Sequence, residues 1–387
     1  TKPGVYVLSA REKIPADAEE VEDGIYKKDG IYYSTNEAKA TYRVTESNGQ
    51  LSVVRIGLDG SEIFVNTYET SGTLDGAANL EIQKSINGRD WQEGDVFTFE
   101  LALISAKDLS GNAYTEENSG VTLPTSRITI AYEEGKNAED YKEHFGDITF
   151  IKTGIFEFAI REQTDNLPKG VSGAAERRVF VRVTDENNNG ELTATVSKIV
   201  LAGTDTAADM QFVNEYAPED PAVAAFRGLK KVLQGKTWNG DSFTFHLAAV
   251  KAETLDGAPI TEIPMPAQTT VTVSQPTSEN EAEFEFGEIR FTQAGTYYYE
   301  VTEEKGNNPG IVYSTNKATF KVTVADNLQG AWTASVTAEN TTFTNVYSTE
   351  IDYDAKGGMT LIKELDGRSM EARQFGFTIR PEDESSA

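Results

Sequence analysis

The chain has 387 residues, more than one compact β domain needs, and its 38% hydrophobic content with 19 Phe and 16 Tyr is enough to build packed cores. A formal net charge of −27 argues against nucleic acid or an anionic membrane as partner. The absence of cysteine excludes disulfides, thiol catalysis and thiolate metal sites.

No apolar run approaches the length of a membrane span, and no charged-then-apolar leader opens the chain. Export and anchoring signals are therefore expected outside this segment.

In chain order, "GVYVLSARE" opens with period-two alternation that puts Tyr6, Leu8, Ala10 and Glu12 on one face of a strand. "GIYYSTNEAKATYRVT" follows at 30–45, and "EIFVNTY" ends at Tyr68 with Asn66 on the aromatic side. "LEIQKSINGRDW" places Leu80, Ile82, Lys84 and Ile86 on one face. "GDVFTFELALISAKD" comes next at 94–108. "KNAEDYKEHF" (136–145) is the one helical candidate, expected as a surface insertion. "GIFEFAIRE" then points Phe156, Phe158, Ile160 and Glu162 inward, and "MQFVNEY" closes at Tyr216 with Asn214 on the inner face.

The same order returns. "RGLKKVLQGKTW" aligns Leu229, Lys231 and Leu233, and parity selects Lys231 over its neighbour Lys230. "GDSFTFHLAAVKAET" matches the strand at 94–108, and "GTYYYEVTE" points Tyr297, Tyr299, Val301 and Glu303 inward. "GIVYSTNKATFKVT" repeats the segment at 30–45, and "TTFTNVY" puts Phe343, Asn345 and Tyr347 on one side. Finally "MTLIKELDGRSM" aligns Leu361, Lys363 and Leu365, and "RQFGFTI" begins another strand.

This internal repeat sets the organisation. Residues 77–216 and 225–347 are complete units, 1–69 the back half of one, and 355–387 the front of another. Short alternating strands rich in Tyr, Phe, Val and Thr, divided by Gly and Asn turns, predict an all-β chain of tandem Ig-like sandwiches. The connectors "ETSGTLDG", "APEDPAVA" and "STEIDYDA" are short, so an end-to-end rod is expected.

Each complete unit thus points a lysine, a glutamate and an asparagine into one apolar interior. One reading is a buried Lys–Glu pair with the amide filling a leftover hydrogen bond, an arrangement that seldom stabilises. The other is chemistry. Burial lowers a lysine pKa and raises a glutamate pKa, so the pair can rest as amine and carboxylic acid. The amine can then attack the Asn side-chain carbonyl while the Glu donates a hydrogen bond to that carbonyl and shuttles the proton that lets ammonia leave. Effective molarities of about 10⁵–10⁸ M for well-oriented groups bring one slow turnover within reach. The product is a Lys–Asn isopeptide bond.

Here the chain resembles tandem isopeptide-linkage domains of the Gram-positive major-pilin type, with a collagen-adhesin-B-like (CnaB-type) sandwich. The cues are an early Lys before a glycine turn, a "YxYxVxE" strand and a closing "FxNxY". They read "KVLQG", "YYYEVTE" and "FTNVY" in the second complete unit and "KSING", "FEFAIRE" and "FVNEY" in the first. The first departs where "GVSGAAERRVFVRV" replaces "GIVYSTNKATFKV". The resemblance implies Lys on the first strand, Asn on the last and Glu on the facing sheet. The crosslinks would be Lys84–Asn214 and Lys231–Asn345, assisted by Glu162 and Glu303. In the end fragments Glu12 and Asn66 lack a lysine, and Lys363 lacks both partners. Joining the two fragments between molecules would approximate one unit, although the preferred expectation is a parent chain that continues on both sides.

Other motifs carry less. "DENNNG" (185–190) resembles the start of a calcium loop, with Asp185, Asn187, Asn189 and Gly190, but its twelfth position is Val196, so a hairpin turn is expected. His144 and His246 have no triad partners nearby, and His246 is expected to face solvent. Trp91 and Trp238 occupy equivalent slots, which favours packing at the sandwich end. No phosphate loop or zinc spacing is present, and no cofactor is expected.

The composite expectation is a structural segment of a cell-wall-anchored, extracellular surface fibre, preferentially the stalk of a multi-repeat adhesin, since no pilin polymerisation motif is evident. Its partners are neighbouring repeats. The alternative is a module binding a host protein or glycan, with the loop at 133–144 as the place to look. Enzymatic action on an external substrate is not expected, because each trio is consumed once.

Overall fold

The structure, a computed structural model, describes residues 2–173, 176–276, 280–350 and 358–379. It is built of β-strands, as the alternation predicts. In the second complete unit, one sheet orders the strands Thr270–Ser274, Ser242–Glu253, Gly295–Glu303, Lys317–Asp326 and Trp332–Glu339. The facing sheet orders Glu281–Phe284, Leu229–Gln234, Thr342–Tyr347 and Ile311–Val312. The first complete unit repeats both, as Arg127–Ala131, Val96–Lys107, Gly154–Glu162, Glu176–Thr184 and Thr193–Leu201 against Lys142–His144, Glu81–Asn87, Gln211–Tyr216 and Val171–Ser172.

Between the sheets lie aromatic cores. Phe245 stacks on Phe284 with centroids 4.2 Å apart, and Phe97, Phe99, Phe156, Phe158 and Phe212 are fully buried. Each unit enters along its lysine-bearing strand and leaves along its asparagine-bearing strand. These two are neighbours and run parallel, so Lys231 lies opposite Phe343 and Leu233 opposite Asn345. The first unit has the same register, Lys84 opposite Phe212 and Ile86 opposite Asn214.

The segment 136–145 is not the expected helix. A single 3-10 turn at Ala138–Asp140 leads into the strand Lys142–His144, which pairs with Glu81–Gln83. Its charged residues face water, while the flanking Tyr141 and Phe145 are buried and Tyr141 stacks on Trp91 at 3.8 Å. It is the outer strand of its sheet, equivalent to Glu281–Phe284, rather than an insertion.

The opening residues form two small sheets, Gly4–Arg11, Glu37–Ser47 and Gln50–Asp59 in one, Ile31–Tyr32 and Thr67–Tyr68 at one end of the other. The face expected to be core is laid out as predicted but stays uncovered: Tyr6 and Leu8 are 37% and 62% exposed. Residues 358–379 form no assigned strand, and Leu361 and Lys363 are exposed.

Adjoining units meet through a repeated joint. The closing Tyr216 donates to Asp326 Oδ1 (2.7 Å) and accepts from the backbone N–H of Gly330 (3.0 Å) on the hairpin of the following unit. Tyr68 does the same with Asp185 and the N–H of Gly190. "DENNNG" is therefore a hairpin turn whose Asp receives the preceding tyrosine. Gly190 and Gly330 hold left-handed φ of +83° and +84°, and a Cβ on Gly330 would lie 2.6 Å from Lys169.

Candidate functional site

The lysine and asparagine strands point alternate residues into the sandwich, so Lys231 and Asn345 share its inner face, offset by two positions of the parallel register. Glu303 comes from the last position of Gly295–Glu303 in the facing sheet. The three meet. Lys231 Nζ donates to Glu303 Oε2 at 2.8 Å, and Asn345 Nδ2 donates to Glu303 Oε1 at 2.6 Å. Asn345 Oδ1 accepts the backbone N–H of Ser314 at 2.7 Å. The side chains of Lys231 and Glu303 are 0% exposed, and the Lys231 ammonium lies 4.5 Å from the Phe243 ring centroid.

One element differs from expectation. Glu303 lies against the amide nitrogen of Asn345 and not against its carbonyl. The carbonyl oxygen is instead bound by a main-chain donor, which no residue type in the sequence announces.

Desolvation dominates the electrostatics. It pulls the Lys231 ammonium down to about 8, against the opposing hydrogen bond and charge of Glu303. It also pushes the Glu303 carboxyl up, against the pull of Lys231 and Asn345.

The first complete unit brings the same three residue types together less tightly. Lys84 Nζ is 3.4 Å from Glu162 Oε1, and both side chains are 0% exposed. Its hydrogen bonds go to the carbonyls of Ser85 (2.8 Å) and Phe212 (3.3 Å). Among the described residues, neither carboxylate oxygen of Glu162 and neither polar atom of the Asn214 amide has a hydrogen-bond partner. The position equivalent to Ser314 is Ala174, which lies outside the described residues. Burial again lowers Lys84 to about 8 and raises Glu162.

The opening unit carries two members of the set in the same pose. Asn66 Nδ2 donates to Glu12 Oε1 at 2.7 Å, and Asn66 Oδ1 accepts the N–H of Ser34 at 2.9 Å. No lysine approaches them among the described residues. Lys363 lies on an exposed segment, away from any such pair.

The remaining candidates have structural surroundings. Trp91 and Trp238 are 9% and 4% exposed and pack edge-on against Phe97 and Phe243. His246 faces solvent between Thr270 and Glu304. Among the described residues no acidic or histidine cluster has the makings of a metal site, and no helix is long and apolar enough to cross a membrane.

Residues 80–217 and 228–348 each match the family described as FctA, the Spy0128-like isopeptide containing domain. Among solved structures, the chain is similar to the major pilin protein (T-13) from Streptococcus pyogenes, at 18% identity and a TM-score of 0.30, over 72% of this chain and 100% of that one. It is also similar to a major pilin from Streptococcus pyogenes at 16% identity and a TM-score of 0.27, over 72% and 99% of the two chains. No curated protein matches the chain. With these two matches covering more than half of the chain, it belongs to the FctA family of Spy0128-like isopeptide-containing domains.

Proposed function

We propose that this chain is a load-bearing segment of an extracellular pilus or stalk, and that its complete units lock themselves with Lys84–Asn214 and Lys231–Asn345 isopeptide bonds. The observation that carries this reading is the pose of Asn345, its leaving nitrogen on Glu303 and its carbonyl oxygen on the Ser314 N–H, with Lys231 on the other carboxylate oxygen.

The chemistry follows from that pose. Within the buried pair the Lys231 proton passes to Glu303, leaving a neutral amine and a carboxylic acid. The amine nitrogen attacks Asn345 Cγ, and negative charge builds on Oδ1, where the Ser314 N–H already points. Glu303 delivers its proton to Nδ2 and takes a second one from Nζ, which keeps its last hydrogen as the amide N–H. The Nζ–Cγ bond forms, the Cγ–Nδ2 bond breaks, and ammonia leaves. The trio is used once, so nothing turns over.

Mechanics give the bond its purpose. Tension enters a unit along the lysine strand and leaves along its parallel neighbour, so the load crosses the ladder between them in shear. A covalent link from Lys231 to Asn345 carries that load past the whole sandwich.

Single-molecule pulling tests the proposal. The parent chain is expected to show no lengthening from either complete unit, and Asn345→Ala to add one unfolding step the size of residues 225–347. Two full-length unfolding steps in the parent would contradict it.

A further inference from the structure

We propose that Asn316 in the second complete unit and Arg177 in the first are positioning residues for the crosslinking reaction, each clamping the start of the asparagine strand. This rests on the self-crosslinking reading above.

The clamp has one form in two units. Asn316 Nδ2 donates to the carbonyls of Asn340 (2.5 Å) and Thr342 (3.0 Å), which lie five and three residues before Asn345. In the opening unit Asn36 Nδ2 donates to the carbonyls of Ser61 (2.5 Å) and Ile63 (3.2 Å), five and three residues before Asn66. Each clamping asparagine sits two residues after the serine whose N–H meets the reactive amide's carbonyl oxygen. Each also donates its own N–H to that serine's hydroxyl at 3.2 Å. The loop therefore grips the strand at two points, the Asn345 Oδ1 and the pair of carbonyls where the strand begins.

The first complete unit has no asparagine in this loop, "GVSGAAERRV". Gly170 and Gly310 precede residues paired alike, Val171 with Tyr216 and Ile311 with Tyr347. Arg177 and Ala318 also hold one place, opposite Ile160 and Val301, each two residues before its glutamate. Between those points the first unit is one residue shorter, 170–177 against 310–318. At the place of the fully buried Ala318, Arg177 reaches the equivalent carbonyls. Its Nε donates to Asp209 (2.8 Å) and its Nη2 to Gln211 (2.6 Å), again five and three residues before the reactive Asn214.

Arg177 is 8% exposed, lies 4.7 Å from the Phe212 ring centroid and has no carboxylate ion-pair partner among the described residues. Burying such a cation is costly. Two chemically different side chains, from different positions, thus meet the same pair of main-chain atoms, which marks that pair as what has to be held. In the second unit the clamp touches no reacting atom and acts through the Ser314 N–H, keeping it on Oδ1. A donor to a developing oxyanion is effective when already in place, and a displacement of about 1 Å can cost about 10²-fold in rate.

The test is the intact mass of freshly purified Asn316→Asp, Asn316→Gln and Arg177→Met chains, followed through incubation, with digestion to locate any retained ammonia. Aspartate keeps the shape of Asn316 without donating, and glutamine donates without keeping the shape. Asn316→Asp should be isolated folded by near-UV circular dichroism, with ammonia retained at Asn345. Its bond should close at least about tenfold more slowly than that of Asn316→Gln. Arg177→Met should delay the Asn214 bond and leave the Asn345 bond complete. A clamp that only stabilises the fold would lower the unfolding midpoint of Lys231→Ala/Asn316→Asp against Lys231→Ala, while Asn316→Asp alone closed its bond as fast as Asn316→Gln. That result overturns the inference and leaves the crosslinks standing. A parent chain at full sequence mass overturns both.

Discussion

Lys231 and Asn345 lie on adjacent parallel strands and are bridged by a single carboxylate, Glu303, which accepts from both. The link covers the whole unit: it connects the strand where the chain enters with the strand where it leaves.

In the proposed reaction Glu303 has one task that glutamine, which matches its shape, cannot perform: proton relay. Glu303→Gln is expected to fold, retain the Asn345 ammonia and lose the crosslink. By analogy with a disulfide closing a loop on the order of 100 residues, the stability lost is about 4 to 5 kcal/mol. Denaturant unfolding of the variant against the parent measures it, and an unchanged midpoint with the bond absent would remove the crosslink from the stability account.

Neighbouring lysines should separate by parity. Lys230 is half-exposed and pairs with Glu281 and Glu283 on the surface, so Lys230→Ala should cost no more than about 1 kcal/mol and leave the bond intact. Lys231→Ala should abolish it. Intact masses of the two variants distinguish them directly.

The uncrosslinked Asn345→Ala unit should show a particular pH dependence. The folded Lys231 pKa of about 8 lies below the unfolded value of 10.5, so the native state binds this proton more weakly. Its penalty is complete below about pH 8 and is relieved as pH rises to about 10.5. Glu303 acts oppositely: its folded pKa is raised from 4.5, so stability falls as pH rises from there through the folded value. Equilibrium unfolding across this range should give a decline in mild acid and a recovery between pH 8 and 10.5. Adding Lys231→Met should remove the alkaline recovery.

At the joint between the complete units, Tyr216→Phe deletes the hydroxyl that bonds Asp326 and the Gly330 N–H. About 1 to 2 kcal/mol of coupling should be lost, with the Asp326 carboxylate left facing an apolar edge. Hydrogen exchange at residues 326–330 should quicken while the ammonia count stays at two. Unchanged protection there would mean the joint is held by other contacts.

Parity alone placed Lys84, Lys231, Glu162, Glu303, Asn214 and Asn345 on inner faces, because a strand has only two sides and the aromatics mark one of them. Three things were not legible. A main-chain donor such as the Ser314 N–H carries no residue-type signal. Tyr216 and Asp326 belong to different units, and nothing local in "NEY" or "DNLQG" links them, although the recurrence of both motifs was visible. Residues 136–145 have the charge density of a surface helix, and only the burial of Tyr141 and Phe145 at their flanks shows an outer strand. A Tyr141→Ala change should accordingly cost about 3 to 5 kcal/mol, which makes this segment part of the core and not a dispensable loop.

The most direct measurement is the intact mass of the purified chain beside Lys231→Ala, Glu303→Ala and Asn345→Ala. The parent should lack two ammonia equivalents, and each variant should lack one, after allowance for its substitution. A parent at its full sequence mass would reduce both trios to buried polar clusters and contradict the covalent account.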